Sequence, residues 1–192
     1  MYDHGILKRI LLCYREISNR LAVGSPVLAS DVTAGAQLIR DFIEGYHEGL
    51  EEEFVFPALI KLGKHSDIVA VLLAQHDRGR HITANVLDIA AESTTSPKAT
   101  ISPRATDSLR RQLDNFVRMY EPHEAWEDTL IFPAFRETVS DRIWRLLAER
   151  FTEEQRRQFG NDARQRLLDQ VNSIETSLDL ADLSKFTPQE TS

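Results

Sequence analysis

Cysteine occurs once, as Cys13, in a chain of 192 residues. That count excludes an internal disulfide and a cysteine-built zinc cluster, and it fits a reducing compartment. Any metal must therefore be held by histidine and carboxylate. Glycine (8 residues) and proline (7) are also scarce, and neither a Gly-rich phosphate loop nor a Gly-x-Ser-x-Gly elbow is present, which removes the common nucleotide and hydrolase readings. No apolar run approaches the roughly 18 residues needed to cross a bilayer. The N-terminus reads Met-Tyr-Asp-His, with charge before any apolar block, unlike a signal peptide, so a cytoplasmic protein is expected. Basic residues are outnumbered, 23 Lys and Arg against 30 Asp and Glu, for a net charge of -7. Such a field repels phosphate backbones and anionic lipid, so neither nucleic acid nor membrane is an expected partner.

Alternating strand patterns are missing too, and what remains is helical periodicity. The first helix is expected from Tyr2 to Ala22, with Ile6, Ile10, Cys13, Ile17 and Leu21 as one apolar stripe and Gly24-Ser25-Pro26 as its break. A second, nearly twice the usual length, starts near Asp31 with Ser30 or Asp31 as N-cap and stops by Gly63. The third follows Ser66 and fades at Glu92 into a polar loop reaching Pro103. The fourth carries Leu109, Leu113, Phe116, Val117, Tyr120, Leu130 and Ile131. Beyond Ser140 shorter amphipathic pieces follow, one around Ile143, Leu146 and Leu147, one opened by the capping-box string Thr152-Glu153-Glu154-Gln155, and one around Leu167, Leu168 and Val171. The expected division is 1–140 for the main helical unit, 141–178 for a helical extension that covers an open end or dimerises, and 179–192 for a frayed tail.

An internal repeat carries the chemistry. His47-Glu-Gly-Leu-Glu51-Glu-Glu-Phe-Val-Phe56-Pro57-Ala58 aligns without a gap on His123-Glu-Ala-Trp-Glu127-Asp-Thr-Leu-Ile-Phe132-Pro133-Ala134, at an offset of 76 residues. Upstream, Asp3-His4 matches Gln75-His76 at an offset of 72. Four residues advance about 400° around a helix, so His47 and Glu51 stack on one face about 40° apart, as do His123 and Glu127. These faces are the apolar ones. Four His and two Glu thus aim at an interior where an unpaired carboxylate would cost several kcal/mol, a cost that a cation offsets. Alone, a His-x-x-x-Glu string on a helix is usually a solvated pair. Its recurrence in two apolar stripes, each with its own early histidine, sets the bland reading aside. Phe56 and Phe132 read as packing, and Pro57 and Pro133 as residues that bend or end the helix beyond the site.

This arrangement resembles the hemerythrin family, most closely its HHE cation-binding branch, over about Met1 to Glu137. The resemblance implies an all-α, up-down-up-down four-helix bundle holding a non-haem di-iron centre. By the same resemblance His4, His47, His76 and His123 would be terminal ligands, and Glu51 and Glu127 the carboxylates bridging two iron ions. Manganese or zinc could replace iron in a recombinant preparation. Ferritin-like bundles use Glu-x-x-His twice; Glu44-x-x-His47 fits that string, but its repeat counterpart is Tyr120, so the pattern fails in the second half. Oxygen-carrying hemerythrins bear two third-helix histidines four apart. Here the pair is His76 and His81, five apart and about 140° apart around the helix, so His76 is the expected ligand and His81 lies outside the first ring of donors unless the helix holds a π-bulge. The position four after His76 is Arg80, which cannot coordinate. Glu48, and less so Glu124, is a further candidate ligand, since a carboxylate at that place binds iron in an iron-sensing F-box relative. Tyr46 and Tyr120 read first as packing residues, with hydrogen bonds around the site as the alternative, His65 as an exposed loop residue and Cys13 as part of the core. The expected function is binding dioxygen or another small diatomic or anionic ligand for sensing, storage or detoxification, by a monomer or homodimer. A di-iron redox enzyme, acting on peroxide or nitric oxide, and an iron-responsive interaction module are the alternatives. No catalytic residue is identified.

Overall fold

The computed structural model describes residues 2–96 and 98–188. Among them, all regular elements are helices, and β pairing is limited to one isolated bridge between Leu28 and Thr100. Six helices follow in order. They are α1 (Tyr2–Ala22), α2 (29–61), α3 (Ser66–Ser93), α4 (106–138), α5 (Asp141–Phe159) and α6 (Ala163–Ser177), with a short 3₁₀ turn at Leu183–Phe186. The first helix has the expected bounds, and its stripe of Ile6, Ile10, Cys13, Ile17 and Leu21 is buried. Burial pushes the Cys13 thiol up to about 12, so it is an inert packing group.

Two expected caps are corrected. Helix α2 begins at Ala29 behind Leu28 without a side-chain cap, so neither Ser30 nor Asp31 serves. Its first turn is tied instead by Ala29 N–H donating to Ala99 O and Ile101 N–H donating to Val27 O, both at 2.9 Å. Thr152 opens no helix either. It lies inside α5, where its hydroxyl donates to the Ala148 carbonyl at 2.9 Å. The cap that starts α5 is Ser140, whose side chain accepts from Ile143 N–H, and Gly160, at φ 80, ends it with a backbone few other residues adopt.

Helix α1 packs on α2 and α4, and α3 packs on the same two. Residues from all four form a large apolar cluster, and a smaller one gathers Val55, Phe56, Leu59, Val69, Leu72, Ile131, Ala134 and Phe135 at the other end. Between the clusters lies a layer of buried His and Glu. Helix α6 joins the large cluster through Leu167, Val171, Ile174 and the following Leu178. It runs along α1: Tyr2 Oη donates to Arg164 O at 3.0 Å, Arg9 Nε donates to Glu175 at 2.8 Å, and Arg20 donates to Leu178 O at 2.5 Å. This helix thus covers the flank made by α1 and α2, while Leu147 of the extension packs on the smaller cluster at the other end. Helix α5 buries no residue and touches the core through Phe151 and Phe159. The expected frayed tail is described through Pro188; its remaining part, 189–192, lies outside the described residues.

The prolines neither end nor sharply break their helices. Pro57 and Pro133 lack an N–H, and a regular α-turn would press each ring against the carbonyl four residues back. Each is preceded by a π-turn instead, Glu51–Val55 and Glu127–Ile131, closed by Phe56 N–H donating to Glu51 O and Phe132 N–H donating to Glu127 O. Both helices then continue, to Lys61 and to Thr138. A third π segment, Ile39–His47, precedes the first motif. The wider turns begin at the two glutamates that point into the buried layer.

Candidate metal centre

Four helices deliver the layer's side chains: His4 from α1, His47 and Glu51 from α2, His76 from α3, and His123 and Glu127 from α4. All six residues are buried. The histidines form two pairs through their inner nitrogens, His4 Nε2 to His47 Nε2 at 2.9 Å and His76 Nε2 to His123 Nε2 at 3.2 Å. Each glutamate spans both pairs. Glu51 places Oε1 3.3 Å from His47 and Oε2 3.6 Å from His76. Glu127 places Oε1 3.0 Å from His123 and Oε2 3.4 Å from His4. Two groups of donors result, His4, His47, Glu51 and Glu127 in one, and His76, His123 and Glu127 in the other.

The outer ring nitrogens explain why the inner ones face each other. His47 Nδ1 meets Asp3 at 3.2 Å, His76 Nδ1 meets Glu52 at 2.9 Å and His123 Nδ1 meets Gln75 Oε1 at 2.8 Å. His4 Nδ1 lies 3.1 Å from Asp128, within ion-pair distance but not aligned as a hydrogen bond. Acceptors on this side hold the ring proton at Nδ1 and leave a lone pair at Nε2. In the pair of His76 and His123 two lone pairs then confront each other at 3.2 Å, a repulsive contact unless a cation lies between them. Histidine ligands oriented by outer hydrogen bonds are the usual construction of a metal site.

The carboxylates point the same way. Both oxygens of Glu51 and Oε1 of Glu127 are buried without a hydrogen-bond partner, although buried polar groups are normally satisfied. Burial, then repulsion from Glu127 and Glu48, drives the Glu51 carboxyl well above the usual range. Burial would also raise Glu127, but the close ring nitrogens of His123 and His4, at 3.0 and 3.4 Å, outweigh it and hold that carboxyl low. Burial lowers His76, favouring the neutral imidazole that can coordinate. A divalent cation would complete the orphaned oxygens and relieve the repulsion. The donor set, imidazole nitrogen and carboxylate oxygen without thiolate, fits a divalent transition-metal ion.

The remaining candidates lie outside the two facing histidine pairs. His81 lies on regular α-helix, 66% exposed, with Nδ1 2.8 Å from its own helix carbonyl at Asp77. His65 occupies a left-handed turn before α3 and is half-buried rather than exposed. Tyr46 donates to the Phe151 carbonyl at 3.1 Å, away from the layer. Glu48 is buried, but its Oε1 accepts from Tyr120 Oη at 2.6 Å and its Oε2 from Arg80 at 3.0 Å. It lies on the Nδ1 side of His76, 3.9 Å away, where with Glu52 it forms a separate acidic group around that ring. Burial pushes the Glu48 carboxyl up to about 8 against the pull of Tyr120 and Arg80. Glu124, its repeat counterpart, is also buried; its Oε2 has no partner and burial raises it to about 7.

Asp3, Glu52, Gln75 and Asp128, which orient the rings, are absent from the motif. A signal for them does exist in the repeat. Each is adjacent in sequence to a donor, and each serves a histidine on another helix; Asp3 corresponds to Gln75, and Glu52 to Asp128. The six donors and their four outer partners therefore obey one approximate two-fold relation between the halves of the chain.

Relatives come from the mycobacteria. Proteins named as uncharacterized from Mycobacterium bovis and Mycobacterium tuberculosis are 46% identical over 188 residues, a span that covers 98% of this chain and 72% of each relative. The chain belongs to their family. No family model matches it, and no solved structure matches it. Among its described residues no helix is long and apolar enough to cross a membrane.

Proposed function

We propose that the chain is a hemerythrin-like, non-haem di-iron protein, an up-down-up-down four-helix bundle of α1 to α4 that binds dioxygen or a related small diatomic or anionic ligand for sensing, storage or detoxification. One observation carries the reading. Glu51 and Glu127 each aim one oxygen at the pair His4 and His47 and the other at the pair His76 and His123. A single ion would leave one histidine pair and its carboxylate oxygens unsatisfied, whereas two ions satisfy both. His4 and His47 would hold one iron and His76 and His123 the other, with both carboxylates shared. Iron in such surroundings supplies reversible electron transfer and affinity for small ligands. The chain's own part is to keep water and large molecules out, to fix the rings through Asp3, Asp128, Glu52 and Gln75, and to leave few enough donors that exogenous ligand has room.

The test is metal content per chain after expression in iron-rich medium, read with the absorption spectrum. Two irons and a near-ultraviolet band typical of a coupled di-iron site are expected. No more than one metal, or zinc alone under iron-replete conditions, would remove the di-iron reading.

A further inference from the structure

Among the places where the approximate two-fold relation breaks is a pair of cations. Lys8 and Arg80 correspond at the offset of 72 residues, and each faces a pair of carboxylates from the helix beside it. Lys8 is 56% exposed and stands 3.9 Å from Glu124 and 3.8 Å from Asp128. Arg80 is 38% exposed and donates to Glu48 at 3.0 Å and to Glu52 at 2.6 Å. Glu52 in turn accepts from His76 Nδ1 at 2.9 Å, and Glu48 accepts from Tyr120 at 2.6 Å. Tyr120 lies against His123, with ring centroids 5.2 Å apart. The Glu48 carboxylate therefore lies beside the His76 ring, 3.9 Å from Nδ1, and is held there by two donors. Arg80 reaches both carboxylates from one guanidinium nitrogen, Nη2, at hydrogen-bond distance, whereas the Lys8 ammonium stands 3.8 and 3.9 Å from its pair, beyond hydrogen-bond reach.

We propose that Arg80 is a positioning residue that keeps Glu48 off the cation of His76 and His123, so that this half of the centre retains an open position for a small anionic or diatomic ligand. The inference rests on the di-iron reading above. It separates two half-sites that their donor lists make look alike. Around His4 and His47 the corresponding carboxylate, Glu124, has a buried oxygen without a partner and only the exposed Lys8 nearby, so nothing comparable restrains it. With Arg80 removed, Glu48 is a buried carboxylate left with the neutral Tyr120 hydroxyl as its donor, so rotation toward the cation is what compensates its charge.

The probe is azide, titrated into the oxidised, iron-loaded full chain and followed by its charge-transfer band, with iron per chain measured on each sample. Arg80→Met is expected to keep two irons and to weaken azide binding by about tenfold or more, the scale at which groups around a metal ligand act. Arg80→Met combined with Glu48→Gln is expected to restore most of the affinity, because the amide is a poor ligand; a merely structural role for Arg80 would leave the double variant as impaired as the single one. Lys8→Met, the symmetry-related change, is expected to shift azide affinity far less. Two irons with unchanged azide affinity in Arg80→Met, or no rescue by Glu48→Gln, overturns this inference and leaves the di-iron reading standing. Fewer than two irons in the unaltered protein overturns both.

Discussion

Five positions separate His76 from His81, and that spacing alone decides which ring can enter the layer. An α-helix turns about 500° over five residues, so the two rings leave α3 in directions about 140° apart. No π-turn interrupts Ser66–Ser93 to bring them together. His76→Ala is accordingly expected to lose metal and change the spectrum, since it removes one of two nitrogens from a half-site, while His81→Ala should match the unaltered protein in iron per chain. Elemental analysis of both decides it, and metal loss in His81→Ala would place the wrong residue in the centre. At this scale the donors were legible because the repeat put six of them on apolar stripes. Their outer partners were not, because side chains about 100° off the stripe read as solvated charges until the neighbouring helix is in place. Glu48 was ambiguous for the same reason. Its direction depends on Arg80 and Tyr120, which reach it from two other helices.

Between elements, the contact of α3 with α4 is set by Gly79. A Cβ added there would lie 2.1 Å from Tyr120 Oη and 2.9 Å from the ring, so the glycine makes room for the hydroxyl that binds Glu48. Gly79→Ala should destabilise the protein by about 1–3 kcal/mol through overpacking. Tyr120→Phe should also destabilise it, by about 1–3 kcal/mol, because Glu48 Oε1 is left buried without its donor. The double variant should cost less than the two together, since removing the hydroxyl removes the closest clash. Urea unfolding of the four proteins measures that coupling; strict additivity would mean that Tyr120 moves aside freely and that Gly79 does not hold it. Helix existence was legible from apolar periodicity, and the long helices begin and end within a few residues of expectation. Caps and π-turns were not. The start of α2 depends on a strand-like bridge to a loop some 70 residues on, and two of the three π segments precede a proline that the helix carries without ending, whereas Pro122 sits within regular α-helix.

For the molecule as a whole, a buried layer of carboxylate and imidazole between two apolar clusters makes stability depend on what occupies it. In the metal-free protein Glu51 and Glu48 have folded-state pKa values raised by burial, Glu48 to about 8. The folded chain then binds protons that the unfolded chain has released, so this contribution is complete below the ordinary carboxyl range and is lost as pH rises toward the folded values. His76 works in the other direction. Burial lowers its pKa from 6.5, so it opposes folding only below that value and is neutral in both states above it. Glu127, held low, is ionised in both states throughout the neutral range. Above about pH 6.5 the retained carboxyl protons therefore decide the slope, and the chelator-treated protein should lose up to about 1.4 kcal/mol per pH unit for each proton retained as pH rises to about 8. Metal binding needs the Glu51 proton gone, so it strengthens as that carboxyl ionises with rising pH. The gap in Tm between loaded and stripped protein should widen from pH 6.5 to pH 8. A stripped protein whose Tm is flat or rising there would show that Glu51 and Glu48 are ionised in the empty layer, stabilised by water rather than by protons, and the buried charge would then no longer argue for a cation.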